Sequence, residues 1–96
     1  MESRDYLRLL NGLGRHVKPQ SNAFREAAGL DAPLADSGLD SLDTVLLAVY
    51  VCEVFGIAEE TGKSLAPRTF GDVAKFAQAH HTRMPASVEA ALASVT

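Results

Sequence analysis

Residues 36–44, DSGLDSLDT, run directly into an apolar block at residues 45–55, and this stretch decides how the chain folds. Asp40 is a residue type that favours the N-cap of a helix, and Gly56 is a residue type that ends one. A helix is therefore predicted from Ser41 to the end of the apolar block. It places Ser41 Oγ in solvent at a helix N-terminus, where free backbone N–H groups and the helix dipole favour a phosphate.

A first helix is predicted over about residues 3–16. Its apolar residues recur at helical spacing and form one stripe, which consists of Tyr6, Leu9, Leu10, Leu13 and Val17. Gly12 and Gly14 are poor helix formers, so we expect the last turn of this helix to fray.

A long connection over residues 20–39 joins the first helix to the second. Apolar residues from Phe24 to Leu30 predict one helical turn within it, and the Pro and Gly residues that follow predict irregular structure up to Gly38. So long a connection in a small domain is typically functional.

Three more helical segments are predicted after the second helix. Residues 58–63 form a short one. Thr69, followed three residues later by Asp72, resembles a capping box and opens a helix that extends to about His81. Pro85, at a first helical position, opens an extra C-terminal helix.

Charge is distributed unevenly along the chain, whose net charge is −3. Eight carboxylates and no Lys or Arg lie between Glu26 and Gly62. An acidic middle disfavours nucleic acid as a partner, because phosphates would be repelled. It is compatible with docking onto enzymes that have basic patches, or simply with a solvated face.

Composition also limits the compartment and the chemistry. Cys52 is the single cysteine, so no internal disulfide forms, and we expect it to be a small core residue rather than a nucleophile. No apolar run has the length of a membrane span, and the N-terminus lacks a signal-peptide pattern. A cytoplasmic protein without membrane insertion is expected. His80 and His81 are adjacent and do not share a helix face, so no metal site is predicted.

From Leu34 to Gln78 the chain resembles the acyl carrier protein family without a gap. Three features at the family's joint spacing support this resemblance: GLDSL at 38–42, EVF at 53–55 and TFGDV at 69–73. The resemblance implies an all-α fold, a small four-helix acyl-carrier-like bundle with a long first loop over residues 1–82. Residues 83–96 would form a C-terminal extension that contains the extra helix.

The resemblance also implies a function without catalysis by this chain. It predicts a freestanding acyl carrier protein, with 4′-phosphopantetheine from coenzyme A attached to Ser41 by a phosphopantetheinyl transferase. The thiol of that arm would hold acyl groups as thioesters for a loading ligase, synthase or acyltransferase of a specialised fatty-acid, lipid or polyketide pathway. Two alternatives stay open, an aminoacyl or peptidyl carrier and an unmodified carrier-like adaptor.

Further residue roles follow from the same resemblance. Positions that match the family's partner-recognition residues are Asp36, Asp40, Leu42, Asp43, Leu46, Val49 and Glu53. Positions that match the interior where some members shelter the acyl chain are Val51, Val73 and Phe76, although the residues alone predict an ordinary core there.

The second helix has few polar residues after Asp43, so we expect it to be buried over most of its surface. Any apolar surface of this helix that the bundle does not bury would be covered by the C-terminal segment, a dedicated enzyme or a second copy of the protein. A monomer is expected, with self-association through this helix as the alternative.

Overall fold

A computed structural model describes residues 1–19 and 24–95 of the chain. Regular secondary structure in these two stretches is helical, with one isolated β-bridge between Pro33 and Thr69. The helices are α1 (Ser3–Val17), α2 (Ser41–Phe55), α3 (Glu59–Gly62), α4 (Phe70–His80) and α5 (Val88–Ala93), with a 3₁₀ turn at Leu34–Ser37. The predicted all-α class is confirmed. Within the described stretches no helix combines the length and apolar character needed to cross a membrane.

The core lies between α1, α2 and α4, which all contact one another. Tyr6, Leu9, Leu10 and Leu13 of the predicted stripe are buried in this core, whereas Val17 is only half-buried. The ring of Tyr6 stacks on Phe55 of α2 with ring centroids 5.9 Å apart. The largest fully buried side chains are Phe55, Phe70, Leu9, Leu10, Leu13, Leu47, Val51 and Val73. Burial of these side chains is the main stabilising contribution to the fold.

The last turn of α1 does not fray as predicted, because α1 continues to Val17. Gly12 and Gly14 permit close packing there. The side chain of Leu92 lies over Gly12, and the ring of Phe24 lies over Gly14 where a Cβ atom would otherwise sit. Tertiary contacts therefore compensate for the low helix propensity of the two glycines.

The helical turn predicted at residues 24–30 is wrong. The buried side chain of Asn11 accepts a hydrogen bond from the backbone N–H of Ala27 at 2.8 Å and donates one to the Ala27 carbonyl at 3.1 Å. Ala27 therefore satisfies both its backbone groups on α1 rather than within a helix of its own. Residues 20–23 of the predicted connection lie outside the described residues.

The rest of the connection is tied to the start of α4. Leu34 donates its backbone N–H to Arg68 at 2.9 Å, and Phe70 and Gly71 donate theirs to Ala32 and Leu30 at 3.2 and 2.6 Å. A 3₁₀ turn, rather than the predicted irregular structure, occupies Leu34–Ser37. These bonds fix the segment that leads into α2.

Most predicted helix ends are confirmed. Asp40 caps α2, Gly56 ends it in the left-handed conformation with φ 65°, and Thr69 and Asp72 form a capping box on α4. The predicted start at Pro85 is wrong, because α5 begins at Val88. The Ser87 hydroxyl accepts a hydrogen bond from Ala90 N–H at 3.0 Å and caps the helix there instead.

Candidate carrier site at the start of α2

Ser41 is the first residue of α2, and its side chain is exposed. The chain reaches it through Gly38, which adopts φ 91°, a left-handed conformation that suits glycine. Leu39 is buried and anchors the chain two residues before the serine. The site is thus an exposed serine hydroxyl held at a fixed point between two anchored segments.

A reciprocal capping box fixes the residues around Ser41. The Asp40 carboxylate accepts a hydrogen bond from Asp43 N–H at 2.9 Å, and the Asp43 carboxylate accepts one from Asp40 N–H at 3.1 Å. No hydrogen bond within the described residues uses the backbone N–H groups of Ser41 and Leu42. Two N–H donors therefore stay available beside an exposed hydroxyl, which suits a phosphate ester on Ser41.

Asp43 points into the molecule and forms a salt bridge with Lys18, which follows the end of α1. Lys18 Nζ lies 2.9 Å from Asp43 Oδ2. Burial by itself raises the pKa of Asp43, but the hydrogen bonds from Asp40 and Lys18 outweigh it and hold that pKa below its usual value. The same contact raises the pKa of Lys18. The pair links the end of α1 to the first turn of α2.

The predicted partner-recognition role does not fit the position of Asp43. Its side chain is buried and already bonded to Asp40 and Lys18, so it has little surface to offer a partner. The other two predicted aspartates, Asp36 and Asp40, are exposed, as is Glu53 at the far end of α2. The structure brings Asp40 and Leu42 to either side of Ser41.

An apolar face on α2 extends away from Ser41 along the helix. We define it as Leu42, Val45, Leu46 and Val49, whose exposed fractions are 67%, 58%, 39% and 46%. The expectation that α2 is buried over most of its surface is therefore wrong. The opposite side of the helix packs on the core through the buried side chains of Leu47, Val51, Val54 and Phe55.

The C-terminal segment does not cover the apolar face. It packs on α1, where Val88 and Ala91 are buried and Arg8 forms a salt bridge with Glu89 at 2.6 Å. The C-terminal segment, as far as residue 95, is therefore excluded as the covering of this face. The face is open in the described part of the molecule.

A groove of about 630 Å³ lies beside the apolar face, between α2 and the segment from Ile57 to Pro67. Its lining is largely apolar and consists of Thr44, Val45, Ala48, Val49, Cys52, Glu53, Ile57, Glu59, Gly62, Lys63, Leu65 and Pro67. Thr44 lies three residues after Ser41, about 4.5 Å along the helix axis. The groove therefore begins close to the candidate attachment point.

The residues predicted to shelter an acyl chain do not line this groove. Val51, Val73 and Phe76 are 0%, 1% and 8% exposed and belong to the packed core between the helices. All three side chains pack against other core residues. The interior site where the resemblance would place an acyl chain is therefore occupied by the protein's own side chains. Among the described residues, the apolar groove lies on a different side of α2 from these three side chains.

Cys52 lines the groove instead of belonging to the closed core. Burial raises the pKa of its thiol, and the nearby Glu59 carboxylate raises it further. The thiol is therefore protonated and weakly nucleophilic at neutral pH. This position fits a small apolar lining residue, close to the role that the sequence predicts.

The described residues offer no catalytic arrangement around Ser41. No basic side chain within them is hydrogen-bonded to its hydroxyl, and they contain no group of three or more His, Cys, Asp or Glu able to hold a metal ion. His81 caps the end of α4, with Nδ1 3.1 Å from the Ala77 carbonyl.

Two residues that position the site were not predicted from the sequence. Lys18 reaches Asp43, and Asn11 holds Ala27 in the segment that leads to α2. Both contacts join residues that are distant in the sequence, so no local spacing indicates them. The one available signal is a polar Asn11 between the apolar residues of α1.

Comparisons with protein-family models, with curated proteins and with solved structures each find no match. What the site can do therefore follows from its own residues.

Proposed function

We propose that this protein is an acyl carrier, and that Ser41 holds 4′-phosphopantetheine. The observation that supports this most is the exposed Ser41 hydroxyl at the first position of α2, beside two available backbone N–H groups. The Asp-Ser-Leu motif at residues 40–42 and the capping box around it fit the acyl carrier family, as does the all-α bundle. The terminal thiol of the arm would supply the thioester chemistry.

Attachment of the arm requires no catalytic group from this chain. The Ser41 oxygen would form a phosphodiester bond, the pyrophosphate bond of coenzyme A would break, and adenosine bisphosphate would leave. The hydroxyl proton would go to a base of the transferase, since the described residues place none at Ser41. The roles left to this chain are presentation of the hydroxyl and N–H donation to the phosphate.

The groove supports a role in handling an apolar cargo. Its lining starts at Thr44 and Val45, next to the attachment point, and is mostly apolar. We therefore place any sheltered acyl chain between α2 and residues 57–67, rather than among Val51, Val73 and Phe76. Asp40, directly before the serine, favours an acyl carrier over an aminoacyl or peptidyl carrier.

Intact-mass measurement tests this function. The apo-protein is incubated with coenzyme A, Mg²⁺ and broad-specificity phosphopantetheinyl transferases, and we expect a mass gain of one phosphopantetheine group. Ser41→Ala removes the proposed acceptor and should abolish the gain. Ser64→Ala changes another exposed serine and should leave the gain intact.

Absence of a mass gain with transferases that modify a control carrier would contradict this proposal. The open apolar face would then favour the second candidate, an unmodified helical adaptor that joins proteins through α2. Modification at a serine other than Ser41 would contradict the assigned site.

A further inference from the structure

The ion pair between Lys18 and Asp43 is the most shielded one among the described residues. The two side chains are 26% and 12% exposed, whereas every other ion pair there includes an arginine that is more than half exposed. Exposed ion pairs contribute little, because solvent and salt screen them and both side chains lose rotamer freedom. Attraction is stronger where water is excluded, so the shielded pair holds its two partners more firmly.

Lys18 is itself held in place at the end of α1. It is the C-cap residue of that helix, and its backbone N–H donates to the Gly14 carbonyl at 2.9 Å. The ring of Phe24 packs against Gly14, so this end of α1 is fixed by packing as well as by hydrogen bonds. The ammonium group therefore contacts α2 from a fixed point.

Hydrogen bonds extend this constraint from Asp43 to the residue before Ser41. Asp43 Oδ2 lies 2.9 Å from Lys18 Nζ, and the same oxygen accepts a hydrogen bond from Asp40 N–H at 3.1 Å. The Asp40 carbonyl accepts another from the Thr44 hydroxyl at 2.9 Å. Ser41 follows Asp40 directly, so any rotation of the backbone at Asp40 changes the direction of the Ser41 hydroxyl.

We propose that Lys18 is a positioning residue for arm transfer, which acts through Asp43 to fix the direction of the Ser41 hydroxyl. This inference rests on the proposed carrier function. Lys18 supplies no group to the reaction. Without its charge, the shielded Asp43 carboxylate is better solvated by turning towards water, which breaks its hydrogen bond with Asp40 N–H. Misplacement of a reacting group by about 1 Å can cost about 100-fold in rate, so a looser first turn of α2 should slow transfer.

A direct electrostatic effect of Lys18 on the transferase predicts a different result. Removal of a positive charge makes the start of α2 more acidic, which would favour the encounter with a basic enzyme and lower KM. Loss of positioning instead lowers kcat, because the protein still binds but its hydroxyl is misdirected. The two kinetic constants therefore separate the two explanations.

Kinetics of arm transfer at saturating coenzyme A test the proposal. KM and kcat for the apo-protein are measured with a broad-specificity phosphopantetheinyl transferase, for wild type, Lys18→Met, Lys18→Arg, Asp43→Ala and the double variant with Lys18→Met and Asp43→Ala. Arg8→Met is the matched control, because it also removes an ion pair between α1 and another helix, the pair with Glu89 of α5. Circular dichroism melting sets an assay temperature at which every variant is folded.

We expect Lys18→Met to lower kcat about fivefold or more, with KM within about twofold of wild type. Lys18→Arg keeps the charge and should retain kcat within about twofold. Asp43→Ala should lower kcat at least as much as Lys18→Met does. The double variant should be no slower than Asp43→Ala, because Lys18 acts through Asp43. Arg8→Met should leave both constants unchanged.

Amide hydrogen exchange measures the positioning without the transferase. In Lys18→Met the Asp43 amide, which donates to the Asp40 carboxylate, should exchange faster, and amides in the middle of α4 should be unchanged. An unchanged kcat for Lys18→Met, a lowered KM alone, an additive double variant or an unchanged Asp43 amide would each overturn the inference while the carrier function stands. Absence of transfer to wild type contradicts the carrier function, and the inference is then wrong as well.

Discussion

Asp43 is the residue that connects the site to the rest of the molecule. Its carboxylate accepts hydrogen bonds from Asp40 N–H within the capping box and from Lys18 beyond α1. Ser41 lies between the two capping residues, so the position of its hydroxyl depends on these contacts. Asp43, which the sequence suggests for partner binding, therefore stabilises the start of α2.

Substitution Asp43→Asn should lower the free energy of unfolding by about 1 kcal/mol at pH 7, because it weakens a capping box and removes a salt bridge. The lowered pKa of Asp43 in the folded state means that its stabilisation is fully present above the unfolded-state pKa, about 3.9, and is lost as pH falls through the folded value. The difference between wild type and variant should thus shrink below about pH 4. Urea unfolding at pH 7 and in acid measures it. A difference that stays constant with pH would contradict the assigned ionic contact.

At the scale of elements, α1 shows how tertiary packing overrides helix propensity. Its two glycines lie where neighbouring segments approach the helix most closely, Leu92 of α5 over Gly12 and Phe24 over Gly14. Leu92 is half-buried and flexible at its end, whereas the ring of Phe24 is buried. The two positions should therefore respond differently to an added methyl group.

The matched pair Gly12→Ala and Gly14→Ala tests this difference. Alanine gains about 1 kcal/mol of helix propensity at either position. At Gly12 the end of Leu92 can move aside, so we expect stability within about 1 kcal/mol of wild type. At Gly14 the methyl group would overlap the Phe24 ring, and we expect a net loss of about 1–3 kcal/mol. Chemical denaturation of both variants measures the effect, and equal stabilities would refute the close contact at Gly14.

On the scale of the whole molecule, the C-terminal segment stabilises α1 and leaves α2 open. Val88 and Ala91 are buried, and Arg8 pairs with Glu89. Thr82 and Arg83, which precede α5, donate hydrogen bonds to the backbone carbonyls of Gly56 and Val54 at the C-terminal end of α2. The segment therefore contributes to stability, and the apolar face stays available.

Deletion of residues 84–96 should lower the free energy of unfolding by about 2 kcal/mol or more, because burial of Val88 and its neighbours is lost. Thr82 and Arg83 remain, so the end of α2 should keep its bonds. Arm transfer to Ser41, measured well below the melting temperature, should proceed with an unchanged KM. A deletion that raises KM severalfold at a temperature where the shortened protein is folded would contradict this expectation.

The sequence by itself determined the all-α class, the position of α2, and the caps at Asp40, Gly56 and Thr69. These features depend on residues within a few positions of one another, through capping hydrogen bonds and the 3.6-residue period. The candidate serine follows from the same local signals, since its place at a helix start is set by Asp40 and the apolar block.

Only the tertiary structure decided which side of α2 is exposed to solvent, the direction of the Asp43 side chain and the backbone conformation of residues 24–30. Apolar residues occupy nearly the whole circumference of α2, so their spacing does not show which of them meet the core. The directions of Asp43 and Ala27 depend on Lys18 and Asn11, partners that only folding brings near. The physical reason is the same in each case: burial and long-range hydrogen bonds depend on the packing of separate segments, which local spacing does not contain.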